Sequence, residues 1–199
     1  MPQKKKGALE LARILRERGI ICSIGHSQAV YEEVVQAFEA GYNLVTHLYS
    51  GMAMVRRINA YRFAGIVESA YLLDDMYVEA IGDGIHLPAS LLKLIYKIKG
   101  PDRICLVTDS MRATGMPEGH YILGNKETGQ EIIVEEGVAK LKNRESFAGS
   151  VATADRVVRT MMQQADIPID EAVKMMTTTP AKIMGIANKK REYLNRKRR

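Results

Sequence analysis

The feature that most constrains the fold is an alternation of short apolar runs and amphipathic segments, with a chemically useful residue after each of four apolar runs. In chain order these residues are His26, His47, His86 and Asp109. Strands that alternate with helices pair in parallel through right-handed crossovers. Four such units make half of an eight-stranded barrel, so we predict an α/β fold, a partial (β/α)8 TIM-like barrel. In such barrels the chemistry lies at the carboxyl ends of the strands.

Apolar spacing and the positions of glycine and proline predict the individual elements. Helices are predicted over 8–18, 30–40, 88–99, 154–165, 170–176 and 180–184. Strands are predicted over 20–24, 43–49, 66–73, 76–81 and 103–107, with a hairpin region over 120–141. We expect Ser27 to cap the second helix, and we expect a loop from Ser50 to about Ala64.

The net charge of +6 resides in the last twelve residues. Residues 188–199 hold seven Lys or Arg and one Glu, so the other 187 residues carry 22 basic and 22 acidic side chains. We therefore divide the chain into a partial barrel domain, 1–187, and a basic tail, 188–199, which we predict to be disordered. A basic tail is also compatible with nucleic-acid binding, but no aromatic-rich basic face accompanies it, so we do not expect a nucleic-acid partner.

The remaining composition indicates a cytoplasmic protein. Cys22 and Cys105 both lie inside apolar runs, which predicts buried free thiols and suits a reducing compartment. No run approaches the roughly 20 apolar residues that a membrane span needs, so we expect no membrane partner.

The strand-end residues suit metal-dependent amide hydrolysis. The chain has four histidines, and three of them share one register with an aspartate, which packing alone explains poorly. Two neutral imidazoles can converge on a zinc-like ion that activates a water. A carboxylate at the next strand end can move the proton, and a histidine away from the metal can donate to the oxyanion.

Five short motifs carry a resemblance to a known family. The chain resembles N-acetylglucosamine-6-phosphate deacetylase, of the amidohydrolase superfamily, over about residues 8–186, which would correspond to the last four βα units of the catalytic barrel. The motifs, in chain order, are Gly25-His26-Ser27, Thr46-His47-Leu48-Tyr49, Asp83-Gly84-Ile85-His86, Leu106-Val107-Thr108-Asp109 and Ala148-Gly149-Ser150.

The resemblance implies a reaction and a role for each strand-end residue. N-Acetylglucosamine 6-phosphate and water would give glucosamine 6-phosphate and acetate. His26 and His47 would be ligands of a divalent metal ion, zinc first, with iron, manganese or cobalt as alternatives. His86 would contact the acetamide carbonyl, and Asp109 would act as general base and then as general acid.

The resemblance also implies the residues that contact the substrate. The loop that begins with Ser50 and Gly51 would bind the sugar, although the family commonly has Asn-Ala at these two positions. A phosphate-binding arginine is expected among Arg56, Arg57 and Arg62, since the guanidinium fork suits phosphate. Further along the chain, Ala148 and Gly149 would line the acetyl side.

The family also supplies a glutamate metal ligand from an earlier barrel strand, which we expect to lie outside this chain. Half a barrel would expose strand edges, so we expect a homo-oligomer, such as a dimer, or a complementing chain. The alternative function is a truncated, non-catalytic remnant or assembly partner of the same family. A different N-acyl amino sugar as substrate also remains open.

Overall fold

The computed structural model describes residues 7–188, so the predicted tail lies outside the described residues except for Asn188. The elements are, in chain order, α1 (Ala8–Glu17), β1 (Cys22–Ile24), α2 (Tyr31–Ala40), β2 (Tyr42–Val45), β3 (Arg56–Ile58), β4 (Tyr61–Phe63), α3 (Ile66–Leu72), β5 (Tyr77–Ile81), α4 (Ala89–Lys99), β6 (Ile104–Val107), β7 (Gly119–Leu123), β8 (Gln130–Glu135), β9 (Val138–Leu141), α5 (Ala154–Gln163), α6 (Ile169–Met176) and α7 (Thr178–Ile183).

A four-stranded parallel sheet with the order β1-β2-β5-β6 forms the centre of the fold. All three pairings are parallel, and β5 and β6 align Ile81 with Val107 at their carboxyl ends. The predicted alternation of strands and helices is confirmed. Because parallel strands end at one edge of the sheet, the residues that follow β1, β2, β5 and β6 lie at the same edge.

The helix boundaries follow the glycine and proline signals in the sequence. Gly41 ends α2 in the left-handed conformation, with φ 119°, and its N–H donates to the carbonyl of Ala37. Pro88 precedes the first residue of α4 and Gly100 ends that helix. Proline is tolerated at a helix start because the first N–H groups have no partner within the helix, so these predicted boundaries are confirmed.

The predicted strand over 66–73 is wrong, since this segment forms α3. Ile66, Val67, Ser69 and Ala70 are buried, which is the spacing of one helix face. The Glu68 carboxylate accepts the Gly65 N–H at the start of this helix, at 2.8 Å. The β-branched pair at the start of the run suggested a strand, but the burial period is helical.

Two local predictions upstream also need correction. Ser27 does not cap α2: its Oγ accepts the Ala29 N–H, while the Val30 N–H at the start of α2 donates to the Glu33 carboxylate. The segment predicted as a loop after Ser50 contains an antiparallel hairpin formed by β3 and β4. A three-residue strand is too short for its apolar pattern to be recognised.

Two apolar clusters support the two parts of the fold. The larger cluster packs the parallel sheet against its helices and includes Val45, Ile66, Val78 and Leu106. A second cluster lies under the three-stranded antiparallel sheet of β7, β8 and β9. Both cysteines are buried and free, as predicted. Between residues 7 and 188, no helix has the length and apolar character to cross a membrane.

A buried lysine closes the carboxyl end of α3. Lys99 Nζ donates to the carbonyls of Ala70, Leu73 and Asp74 at 3.0, 2.9 and 3.3 Å. Burial lowers the pKa of this amine. A side chain of α4 therefore donates to three carbonyls at the end of α3, and the Leu73 carbonyl also accepts the Met76 N–H.

Replacing this lysine should weaken the fold. We expect Lys99→Met to lower the free energy of unfolding by roughly 1–3 kcal/mol, because buried carbonyls lose their donor. Lys97→Met, on the same helix but exposed, should change it by less than about 0.5 kcal/mol. Urea unfolding monitored by circular dichroism measures both, and equal effects of the two variants would contradict the capping role.

Candidate active site

Three of the four strand-end residues adopt the left-handed backbone conformation. His26, His47 and Asp109 have φ values of 35°, 29° and 49° and follow β1, β2 and β6. Non-glycine residues rarely occupy this region, and such strain persists only where neighbouring structure fixes it. The same conformation after β1, β2 and β6 brings three polar side chains to the same edge of the sheet.

The imidazoles of His26 and His47 lie side by side. Their ring centroids are 4.8 Å apart and the planes are inclined by 43°. His47 Nδ1 is buried and has no hydrogen-bond partner within residues 7–188. Gly51 packs against the His26 ring so closely that a Cβ at this position would lie 2.9 Å from Cδ2. The loop after β2 therefore packs against the His26 ring.

The histidine pair fits part of a divalent-metal site. Neutral imidazoles are zinc ligands, and a buried ring nitrogen without a partner is the kind of atom that a metal ion satisfies. Among the described residues, however, no group of three or more His, Cys, Asp or Glu side chains is arranged to hold a metal ion. His26 and His47 could therefore supply two ligands of a divalent ion.

His86 is held by a buried carboxylate. Asp83 Oδ2 accepts His86 Nδ1–H at 2.7 Å, and Oδ1 accepts the backbone N–H groups of Ile85 and His86 at 2.9 and 2.8 Å. Burial alone would raise the pKa of Asp83, but the hydrogen bonds from His86 and Ile85 lower it below its ordinary value. Asp83 therefore stays ionised and fixes the proton on Nδ1.

His86 also contacts an aromatic ring. The Phe147 ring lies 4.6 Å from the His86 ring, inclined by 45°, and 44% of Phe147 is exposed. The ring orientation of His86 is thus set by a hydrogen bond on one nitrogen and by packing on its face. Nε2 is the nitrogen left for a ligand.

Asp109 lies beside the small-residue loop predicted to line the acetyl side. Its carbonyl accepts the Ser150 N–H at 3.0 Å, and a Cβ at Gly149 would lie 3.5 Å from the same oxygen. Gly149 has φ 90°, so a side chain here would strain the turn. Asp109 itself is exposed at the sheet edge, which leaves its carboxylate accessible to a ligand.

Sequence reasoning missed Glu79, a half-buried carboxylate on β5. Burial raises the pKa of Glu79; the N–H and ring of His47 oppose this effect, and the charge of Asp109 adds to it. Glu79 therefore lies within electrostatic reach of both residues. A single acidic residue inside the apolar strand Tyr77–Ile81 was the available signal.

The three candidate arginines occupy the hairpin of β3 and β4 and differ in their contacts. Arg56 donates to the Oε1 and the carbonyl of Gln28, at 3.0 and 2.5 Å. Arg57 and Arg62 are directly opposite each other across the hairpin and are both exposed. Arg56 is therefore committed to the loop after His26, whereas Arg57 and Arg62 form a cationic pair.

The fold and this sheet edge together define a class, an α/β protein of the TIM-barrel type with a hydrolase-like set of strand-end residues. No protein-family model matches the sequence. The chain is nevertheless similar to N-acetylglucosamine-6-phosphate deacetylases of Lysinibacillus sphaericus, with 39% identity over 94% of this chain and 46% of the relative, and of Vibrio furnissii, with 36% identity over 92% and 43%.

Solved structures agree with the sequence relatives. N-Acetylglucosamine-6-phosphate deacetylase of Thermotoga maritima superposes with a TM-score of 0.82 at 31% identity, covering 93% of this chain and 48% of that one. The Mycobacterium smegmatis enzyme, a variant in complex with N-acetyl-D-glucosamine-6-phosphate, also gives 0.82 at 31% identity, covering 92% and 47%. The predicted resemblance and fold class are confirmed, and the chain spans about half the length of the curated relatives it matches.

The Asp83–His86 contact generates a spectroscopic prediction. In Asp83→Asn the amide oxygen is expected to keep the two backbone N–H groups, so the NH₂ group faces His86 Nδ1. A donor there favours the neutral tautomer with its proton on Nε2. Imidazole ¹⁵N spectra should therefore show a proton on Nδ1 in the parent and on Nε2 in the variant. Unchanged His86 nitrogen shifts would contradict this assignment.

Proposed function

We propose that this chain carries catalytic residues for metal-dependent hydrolysis of the acetamide of N-acetylglucosamine 6-phosphate to glucosamine 6-phosphate and acetate. The observation that supports the proposal best is the contact of His26 with His47 at a sheet edge that also holds Asp109. The names of the sequence relatives support the substrate.

His26 and His47 would hold the divalent ion, with zinc as the first choice and iron, manganese or cobalt as alternatives. When bound, the ion would polarise the acetamide carbonyl and acidify a water. The exposed carboxylate of Asp109 takes the proton of the attacking water and returns it to the leaving amine. This proton path needs the substrate amide between the sheet edge and the loop of Ala148 and Gly149.

His86 would stabilise the oxyanion. Because Asp83 accepts the Nδ1 proton, Nε2 can donate only when the ring is doubly protonated. The buried Asp83 carboxylate supplies the counter-charge for that imidazolium. A charged donor aimed at the developing oxyanion is a strong form of transition-state stabilisation.

The cationic pair of Arg57 and Arg62 is the candidate phosphate site. Like charges directly opposite on a hairpin are destabilising, so a phosphate dianion between them removes a repulsion and gains bidentate hydrogen bonds. Ser50 and Gly51 join the histidine loop to this hairpin, and we assign the sugar ring to them. Arg56 instead holds the hairpin to Gln28.

A second substrate is supported by one relative. N-Acetylgalactosamine-6-phosphate deacetylase of Escherichia coli O157:H7 is 31% identical over 92% of this chain and 46% of its own length. A panel of both N-acetyl sugar phosphates would decide between the epimers. We further propose a cytoplasmic location and a homodimer or complementing chain, which the mass in solution would test.

Histidine and aspartate variants test the metal and proton roles. His26→Ala and His47→Ala should abolish zinc binding by the purified chain, because each removes one of two ligands. Asp109→Asn should keep the metal and lose at least about 100-fold in turnover, since the proton acceptor is removed. Calorimetry and an acetate-release assay measure the two effects.

The matched control is His120→Ala, which removes the exposed histidine of β7 and should change neither quantity. Full activity of Asp109→Asn would overturn the role of that carboxylate. If the parent chain binds no metal and releases no acetate, autonomous activity is excluded and the non-catalytic alternative stands.

Arginine variants test the phosphate site. Arg57→Gln and Arg62→Gln should each raise KM for the phosphorylated sugar about tenfold or more, because a charge-assisted hydrogen bond is worth roughly 1.5–3 kcal/mol. KM for unphosphorylated N-acetylglucosamine should not change. Steady-state kinetics on both sugars measures the ratio, and equal increases for both would contradict a phosphate contact.

A further inference from the structure

Among the described residues, Glu79 is a half-buried carboxylate beside the candidate site to which the proposed chemistry gives no task. It lies in the middle of β5, between the strand that precedes His47 and the strand that precedes Asp109. A buried carboxylate costs more to desolvate than a hydroxyl or an amide. A hydrogen bond to the Glu79 carboxylate is therefore needed to offset this desolvation cost.

The contact is with the strained turn that carries His47. Glu79 Oε2 accepts the backbone N–H of His47 at 3.3 Å, and the Glu79 carbonyl accepts the N–H of Leu48 at 2.8 Å. The turn is closed by the Ser50 N–H, which donates to the His47 carbonyl at 2.9 Å. Glu79, on the neighbouring strand, accepts two of these three hydrogen bonds.

The other two strained residues are supported differently. Beside His26, Ser27 Oγ accepts the Ala29 N–H at 3.2 Å, and beside Asp109, Thr108 Oγ1 accepts the Ser110 N–H at 3.3 Å. In both turns a hydroxyl from an adjacent residue provides the acceptor. At His47, a carboxylate from β5 accepts the N–H of the strained residue itself.

Thr46, the residue before His47, also has a hydroxyl. Thr46 Oγ1 is hydrogen-bonded to Ser23 Oγ at 2.5 Å, which links β1 to the end of β2. Among the described residues, no backbone N–H of the turn after β2 donates to the Thr46 hydroxyl, in contrast to the hydroxyls in the other two turns. The carboxylate of Glu79, on β5, accepts the His47 N–H instead.

We propose that Glu79 is a positioning residue. Its hydrogen bond to the His47 backbone holds the left-handed turn, and this turn directs the His47 imidazole toward His26. The importance of this alignment for catalysis rests on the proposed function, but the alignment itself is a property of the metal-free chain. This hydrogen bond needs an oxygen acceptor at the Oε position, which glutamine supplies and alanine lacks.

The histidine ring spectrum of the metal-free full chain tests this proposal. The chain has four histidines, so the ¹H–¹³C spectrum holds four Hε1–Cε1 cross-peaks, each assigned from a single His→Ala variant. Glu79→Ala should displace the His47 cross-peak and the neighbouring His26 cross-peak. Glu79→Gln should leave both near their parent positions.

Glu68→Ala is the matched control. It also removes a carboxylate that accepts a backbone N–H, at 2.8 Å from Gly65, but at the start of α3. We expect this control to lower the unfolding temperature and to leave the His26 and His47 cross-peaks unmoved. A displaced pair in this control would mean that general loosening explains the effect of Glu79→Ala, and the proposal would be overturned.

Zinc affinity provides the second readout. Removing a supporting hydrogen bond typically costs 10- to 100-fold in metal affinity, so we expect that loss in Glu79→Ala and less than about threefold in Glu79→Gln. Unmoved cross-peaks in Glu79→Ala, or equal displacement in Glu79→Gln, would overturn the proposal. If the parent binds no zinc, the metal role in the proposed function fails, while the ring spectrum still decides on Glu79. If Glu79→Ala does not fold, Glu79→Val, which keeps a strand-forming residue but has no acceptor, replaces it with the same expected outcomes.

Discussion

Parallel pairing of four short strands is the constraint on which the rest of the structure depends. The order β1-β2-β5-β6 places every strand end at one edge of the sheet, although the residues that follow are far apart in the chain. The sharp left-handed turns at His26, His47 and Asp109 then project polar side chains from that edge. Without parallel pairing, neither the contact of the two imidazoles nor the approach of Asp109 to Glu79 would arise.

Two carboxylates set the histidines at this edge. Asp83 fixes the ring of His86 through Nδ1, and Glu79 holds the backbone of His47. Buried acidic groups are costly unless they are hydrogen-bonded, and both are. The site therefore combines backbone strain with buried charge. The hydrogen bonds that hold the strained turns also satisfy the buried carboxylates, as is common at functional sites.

The sequence predicted the elements whose signals are long or periodic, and it predicted the identity of the strand-end residues. The glycine after α2 and the proline before α4 marked real helix ends because their backbone preferences are local. The segment 66–73 was misassigned, since its helical burial period becomes visible only against the sheet. Glu79 escaped notice because its role depends on a turn 32 residues earlier, and no local pattern encodes that pairing.

The central claim is that His26 and His47 form one metal-binding pair at the sheet edge. Zinc titration of the full chain, followed through the four histidine ring resonances, tests it most directly. The His26 and His47 resonances should shift together with a common dissociation constant, while the His120 resonance stays in place. Independent shifts of the two, or no shift of either at saturating zinc, would contradict it.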